Sequence, residues 1–293
     1  MARILIVDGH AYAYRAFHAI RELRSPAGRP TNAIYGFIKM LGKMRATLAP
    51  THLIVVWDGG LSAERMAALP DYKAQRPEMP AALAAQLDEI TAYLAAARIA
   101  SYCADGVEAD DYIACLARRA VAADLAVVIA SSDKDFMQLV TPEIGLLNPN
   151  DKTETVWGTE QVQAKAGVTP AQIVDWLSLI GDNVDNIPGV PGVGPKTAAD
   201  LLRQFGSVAE LYRRLDDVKS ERIRAGLRAA AADVRRNQEL VRLKDDLACE
   251  FSAAALAVRP PEADRLADLF RSWGFRSLLA EIEASRLRQE VLL

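Results

Sequence analysis

Three short apolar runs, ILIV at 4–7, LIVVW at 53–57 and AVVIA at 126–130, each give way within a few residues to aspartate: Asp8, Asp58, and Asp133 with Asp135. Runs this short and this rich in β-branched residues read as buried strands, and the stretches between them carry helical periodicity. Strands alternating with helices predict an α/β domain with a mostly parallel central sheet. The carboxyl ends of parallel strands converge on one edge, which is where open α/β sheets bind ligands. The aspartates are therefore expected to share that edge.

Two further segments add carboxylates. VEADD at 107–111 supplies Glu108, Asp110 and Asp111, and GDNVDN at 181–186 supplies Asp182 and Asp185, which brings the set to nine. Acidic residues in a first helical turn commonly complement the helix dipole, yet three in four positions exceed what capping needs. They face more than one direction, so some can bind a metal directly and others through water. SSDKD at 131–135 alone would read as a surface Asx turn. One helical turn would put Asp182 and Asp185 on the same face. So many carboxylates cannot crowd together unpaired, because like charges raise one another's pKa. Divalent cations remove that difficulty: Mg²⁺ prefers carboxylate and water oxygens, and two such ions roughly 4 Å apart can drive an in-line phosphoryl displacement. His10, His18 and His52 have no evident triad partners and read as structural or solvent-facing.

The remaining composition mainly excludes. A chain of 293 residues, 51% hydrophobic and 25% charged, can bury a substantial core as one large domain or two smaller ones. No apolar run approaches the roughly 18 residues of a membrane span, and the N-terminus enters a strand without a signal-peptide pattern. A soluble, unexported, cytoplasmic protein is expected. Cys103, Cys115 and Cys249 are odd in number and lack CxxC spacing, so neither a disulfide framework nor a zinc site is expected. Net charge is −3, and setting the nine site carboxylates aside leaves +6, enough for local phosphate-binding patches.

Helices are expected at 32–48, 81–97 and 108–123, with a shorter closing strand at 144–147. From Thr159 onward helices take over, with Thr159 and Thr169 as N-caps, an Arg-rich helix over 209–248 and a helix pair over 262–283 broken at Gly274. The boundary is expected near 155–168, dividing the chain into 1–165 and 166–293. Residues 59–80, with GG at 59–60, three prolines, and Arg65, Tyr72, Lys73 and Arg76 between them, read as a mobile loop over the site. PGVPGVGPKT at 188–197 is not a phosphate-binding P-loop, because Pro195 separates Gly194 from Lys196 and a helical segment precedes it. A hairpin between two helices fits better. Gly192 and Gly194 would let backbone N–H groups approach a phosphate, helped by Lys196, and such contacts ignore base identity.

These segments together resemble the bacterial 5′-nuclease family: flap endonucleases and the N-terminal 5′–3′ exonuclease domain of family-A DNA polymerases. The resemblance rests on VDGHAYAYRAFHA at 7–19, PTNAIYGF at 30–37, VVWD at 55–58, YKAQR at 72–76, GVEADD at 106–111, SSDKDFMQL at 131–139, LIGDNVDNIPGVPGVGPKTA at 179–198 and FRSWGFRSLL at 270–279. It covers nearly the whole chain and implies a PIN-like core followed by an all-helical region with a helix-hairpin-helix at about 186–205. It assigns Asp8, Asp58, Glu108, Asp110 and Asp111 to one metal site and Asp135, Asp182 and Asp185 to a second, with Asp133 between them. Residues 59–90 become a helical arch that admits a single-stranded 5′ end. Tyr72 would stack on a base, Lys73 and Arg76 would act catalytically on the scissile phosphate, and Arg15 would contact substrate. Val184 stands where Ser is frequent and Trp57 where Phe is usual, and neither change removes a ligand.

The activity so implied is divalent-metal-dependent, structure-specific 5′–3′ exonuclease and flap endonuclease cleavage of DNA in replication and repair. Two Mg²⁺ ions would serve, with Mn²⁺ as a substitute and K⁺ at the hairpin. Expected partners are DNA with 5′ flaps or ends, RNA primers on DNA and a DNA polymerase, with the protein a monomer at the nucleoid. A catalytically idle DNA-binding module and a PIN-type ribonuclease are the competing readings.

Overall fold

The computed structural model describes residues 2–151 and 155–290. Its six strands are β1 (Arg3–Asp8), β2 (His52–Val56), β3 (Ala100–Tyr102), β4 (Ala126–Ala130), β5 (Ile144–Leu147) and β6 (Val156–Trp157), in the spatial order β3-β2-β1-β4-β5-β6. All neighbours are parallel except β5 with β6. The mostly parallel sheet is thus as expected. The edge strands β3 and β6 were not foreseen, being three and two residues long and without a periodicity of their own.

Strand alternation decides which helices cover which face. Leu5, Val7, Leu53 and Val55 face the cluster that contains α1 (Gly9–Ala19), α2 (Asn32–Leu48) and, beyond the short α3 (Ala63–Ala68), α4 (Ala81–Ala96). Ile4, Ile6, Ile54 and Val56 face α5 (Ala109–Ala122). Helix α5 carries the chain from β3 at one edge past β2 and β1 to β4. The strand order therefore reverses at β1, and a topological switch point opens at its carboxyl end. Asp8 sits there. It caps α1 by accepting from the Ala11 N–H, a helix not foreseen because its apolar residues are mostly alanines and tyrosines.

The described chain beyond β6 is helical: α6 (Thr159–Ala166), α7 (Ile173–Ile180), α8 (Pro195–Phe205), α9 (Val208–Arg213), α10 (Glu221–Ala229), α11 (Ala231–Val241), α12 (Ala253–Leu256), α13 (Ala263–Trp273) and α14 (Arg276–Glu290). Thr169 caps the Pro170 turn as expected, but Gly158 rather than Thr159 is the N-cap of α6. The single helix expected over 209–248 is three: the Ser220 hydroxyl accepts the Ile223 N–H and starts α10, and the chain breaks again at Ala230, which has no side-chain cap. From Arg242 to Ser252 the chain is irregular. Helices α13 and α14 return to the first half, burying Phe270, Trp273 and Phe275 with Tyr93 and Phe37. Cys115 of α5 and Cys249 form a disulfide across 134 residues, which corrects the expectation of none. Spacing of cysteines along a chain says nothing about pairs brought together by tertiary packing. Among the described residues no helix is long and apolar enough to cross a membrane.

Candidate metal centre

The carboxyl end of the sheet gathers its acids from five places. Asp8 ends β1, Asp58 follows β2, Glu108 and Asp110 open α5, Asp133 and Asp135 follow β4, and Asp182 and Asp185 lie in the loop after α7. Asp8 is held on both sides, by the Ala11 N–H at 3.0 Å and the Ser131 hydroxyl at 2.7 Å. Burial pushes its carboxyl up to about 6, against these two hydrogen bonds and with the charges of Asp133 and Asp58 adding to the rise. Asp110 lies well above the ordinary carboxylate range through burial and then through Asp133 and Asp8, and Asp135 does so through burial and Asp133. Asp133 is raised by burial against the Asp135 N–H it accepts. The charge of Asp133 raises Asp8, Asp110 and Asp135, and Asp110 also feels Asp8 and raises Asp135, so the four form one electrostatic cluster centred on Asp133.

Cations of the protein meet the outer members. Glu108, 2% exposed, takes the Lys73 ammonium at 2.6 Å and the Arg65 guanidinium at 3.1 Å on one oxygen, and the Ser62 N–H on the other. Although its burial favours the neutral acid, Lys73 and Arg65 hold it below its ordinary value. Lys134 pairs with Asp182 at 2.7 Å and Arg76 with Asp185 at 2.6 Å. Segment 69–76 is tied to the loop after α7 by the Lys73 N–H on the Asp185 carbonyl and the Asn186 amide on the Asp71 carbonyl. The chain at 59–80 is largely exposed but is anchored at its three buried residues, Arg65, Tyr72 and Lys73.

Two expected roles change with that packing. Tyr72 is 3% exposed, with its hydroxyl donating to Glu108 at 3.2 Å, so its ring offers no face to a base in this arrangement. The Lys73 ammonium is engaged with Glu108 rather than open to a phosphate. Arg15 is exposed and donates to Asn150 in the loop after β5, not to any of the nine carboxylates. Asp111 also departs from the cluster. Both its oxygens accept from Arg65, at 2.7 and 2.8 Å, and one also accepts the Lys244 N–H. Its neighbour Asp110 faces the cluster because successive helical positions point about 100° apart.

Sequence reasoning missed Arg65, Ser131 and Lys134 as site-builders. Arg65 donates as well to the Leu240 and Arg242 carbonyls at the end of α11, so all of its contacts lie within the fold. Its only signal was its place among the cations of 59–80. The hairpin continues the loop of Asp182 and Asp185, between α7 and α8. It is closed by a near-contact of backbones: Gly181 has φ +72°, and a Cβ there would stand 2.4 Å from the Gly189 nitrogen. Gly192, Gly194 and Lys196 are exposed at the start of α8, and the Arg222 guanidinium lies beside Gly192.

Among the described residues no three Asp, Glu, His or Cys side chains stand close enough to enclose an ion by direct ligation alone. The donor chemistry nevertheless fits a hydrated divalent cation. The cluster is all oxygen, its carboxyls are destabilised as anions by burial, and the buried Asp135 Oδ1 has no hydrogen-bond partner. Mg²⁺ keeps several of its waters and needs few direct ligands.

Two family models cover most of the chain: 5′–3′ exonuclease, N-terminal resolvase-like domain, over residues 3–167, and 5′–3′ exonuclease, C-terminal SAM fold, over 168–264. A 5′–3′ exonuclease of Aquifex aeolicus is 38% identical over 284 residues, covering 97% of this chain and 96% of that protein. DNA polymerase I of Bacillus caldotenax is 37% identical over 290 residues, covering 98% of this chain, which spans about a third (33%) of the polymerase. In fold, the chain resembles the T5 5′-exonuclease with bound zinc (TM-score 0.69, 24% identity, 96% of this chain and 99% of that one) and the catalytic core of Rad2 in complex with DNA substrate (0.64, 15%, 93% and 88%). With both halves matched in order and a relative of nearly equal length matched end to end, the chain belongs to the 5′–3′ exonuclease family.

Proposed function

We propose that this protein is a divalent-metal-dependent, structure-specific 5′–3′ exonuclease and flap endonuclease, which hydrolyses DNA phosphodiesters near single-strand to duplex junctions. The observation that carries the reading is the cluster of Asp8, Asp110, Asp133 and Asp135 at the switch point of the sheet, raised as acids by their crowding and partial burial, with the unpartnered Asp135 oxygen within it. Two Mg²⁺ ions held there, with Mn²⁺ able to replace them, would supply a water activated for attack and a counter-charge for the leaving oxygen. Asp58, Glu108, Asp182 and Asp185 lie around the cluster; Asp185 and Asp182 hold Arg76 and Lys134, whose charges would meet a phosphate, while Glu108 keeps Lys73 paired in this arrangement. Lys196, Gly192, Gly194 and Arg222 present N–H groups and positive charge to a duplex backbone, with K⁺ bound at the hairpin. Residues 59–90 serve as the arch over the single strand.

The same reading has a monomer at the nucleoid removing 5′ flaps and RNA primers beside a DNA polymerase. It also divides the chain into a nuclease core at 1–165 and a DNA-binding region at 166–293. The test is a Mg²⁺-dependent assay on 5′-flap DNA, blunt duplex and structured RNA. Flap cleavage with release of a 5′-phosphate is expected. No cleavage of any substrate would leave a DNA-binding module, and cleavage of RNA alone would leave a ribonuclease. Asp133→Ala is expected to abolish cleavage while weakening flap binding far less, and equal losses of both would refute that separation of roles.

A further inference from the structure

Ser131 directly follows β4 and its side chain is fully buried, 0% exposed. In the register of β1 with β4, Val7 pairs with Ala130, so Asp8 and Ser131 are the next residues along two adjacent strands. The Ser131 N–H donates to the Leu147 carbonyl of β5 at 3.2 Å, which fixes the backbone from the other side. Its Oγ then makes two contacts: 2.7 Å to Asp8 Oδ2 and 3.1 Å to the backbone nitrogen of Asp133. An amide N–H can only donate, so the hydroxyl oxygen must accept from Asp133. The single hydroxyl proton is thereby directed to Asp8.

Resting on the metal-dependent reading above, we propose that Ser131 is a positioning residue for the reaction. It links the carboxylate of β1 to the turn that carries Asp133 and Asp135, and so sets the separation of acids that arrive from two different strands. Asp8 alone could rotate about its side-chain bonds. The Ala11 N–H fixes one of its oxygens and Ser131 the other, which leaves the carboxylate one orientation and turns its remaining lone pairs to the cluster. The same hydroxyl anchors the first N–H of the Asp133 turn, so a shift of β4 moves both acids together. Partners that orient metal-binding carboxylates typically change metal affinity or rate by about 10–100-fold when removed.

The test compares wild type, Ser131→Ala and Ser131→Thr, with the fold of each checked by circular dichroism and thermal melting. Mn²⁺ is titrated into each protein without DNA and followed by electron paramagnetic resonance, and flap cleavage is resolved into kcat and KM. Ser131→Ala is expected to bind Mn²⁺ about 10–100-fold more weakly and to lose kcat by a similar factor with KM for flap DNA little changed. Ser131→Thr, which restores the hydroxyl, is expected to recover both. Unaltered Mn²⁺ affinity in a folded Ser131→Ala variant would overturn the proposal, as would equal losses in the Ala and Thr variants or a loss confined to KM. A wild-type protein that binds Mn²⁺ but cleaves no flap would instead sink the proposed activity, and the Mn²⁺ titrations would still decide the role of Ser131.

Discussion

Replacing Arg65 with methionine, which keeps the volume and removes the charge, is expected to destabilise the fold by about 4 kcal/mol. The side chain is 4% exposed, so solvent does not screen its ion pairs with Asp111 and Glu108. Removing one partner of a buried pair typically costs about 3–5 kcal/mol, because the other charge stays buried. The Leu240 and Arg242 carbonyls also lose a donor, each worth about 1 kcal/mol or more. Working against the loss, Glu108 keeps Lys73 and the Ser62 N–H, and Asp111 keeps the Lys244 N–H. At about 2 °C per kcal/mol for a chain of this size, Tm falls by roughly 8 °C. Urea unfolding measures the change, with Lys244→Ala as the comparison. Lys244 pairs with Glu64, which is 81% exposed, and solvent screens such a surface pair, so its loss is expected to change stability little. An Arg65→Met variant no less stable than Lys244→Ala would refute the reasoning. Asp111→Asn is expected to destabilise as well and to be far from additive with Arg65→Met. An Asp111→Asn protein of full stability without metal binding would return Asp111 to the ligand set.

Metal alone is expected to stabilise the chain: Mn²⁺ at about 100 times its dissociation constant adds about 2.7 kcal/mol, and a Tm unmoved by Mn²⁺ or Mg²⁺ would count against the centre. Lys196→Ala is expected to weaken duplex binding irrespective of base sequence and to reduce the salt slope by about one phosphate contact; an unchanged slope removes Lys196 from the interface. Without reductant, alkylation of the denatured protein is expected to label Cys103 alone, and all three cysteines after reduction. Closure of so long a loop contributes about 2–5 kcal/mol, so a reductant that leaves Tm unchanged would argue against the bridge.

The sheet was legible where burial makes a strand apolar on both faces. β1, β2 and β4 carry continuous β-branched runs, and the predicted and observed positions agree within a residue or two. β3 and β6 were not legible because an edge strand this short is defined by its partner. α2 and α4 were visible from their periodicity. The break of 209–248 into three helices was less so, since a serine cap such as Ser220 inside an otherwise helical composition looks like an ordinary surface residue and the break at Ala230 carries no capping side chain at all.

The sequence by itself determined that Asp8, Asp58, Asp133 and Asp135 follow strands whose carboxyl ends share one edge of a parallel sheet. It could not determine which way each acid points. Asp110 and Asp111 are adjacent in the chain, yet only the position of Arg65, brought in from α3 and held by carbonyls of α11, turns Asp111 into a structural partner and leaves Asp110 to the cluster. The family resemblance assigned Tyr72 and Lys73 to substrate, whereas burial against Glu108 is decided by how their segment folds back over the site. The orientation of a side chain depends on contacts that are distant in sequence, so local pattern can name the residues of this centre while only tertiary packing can assign their partners.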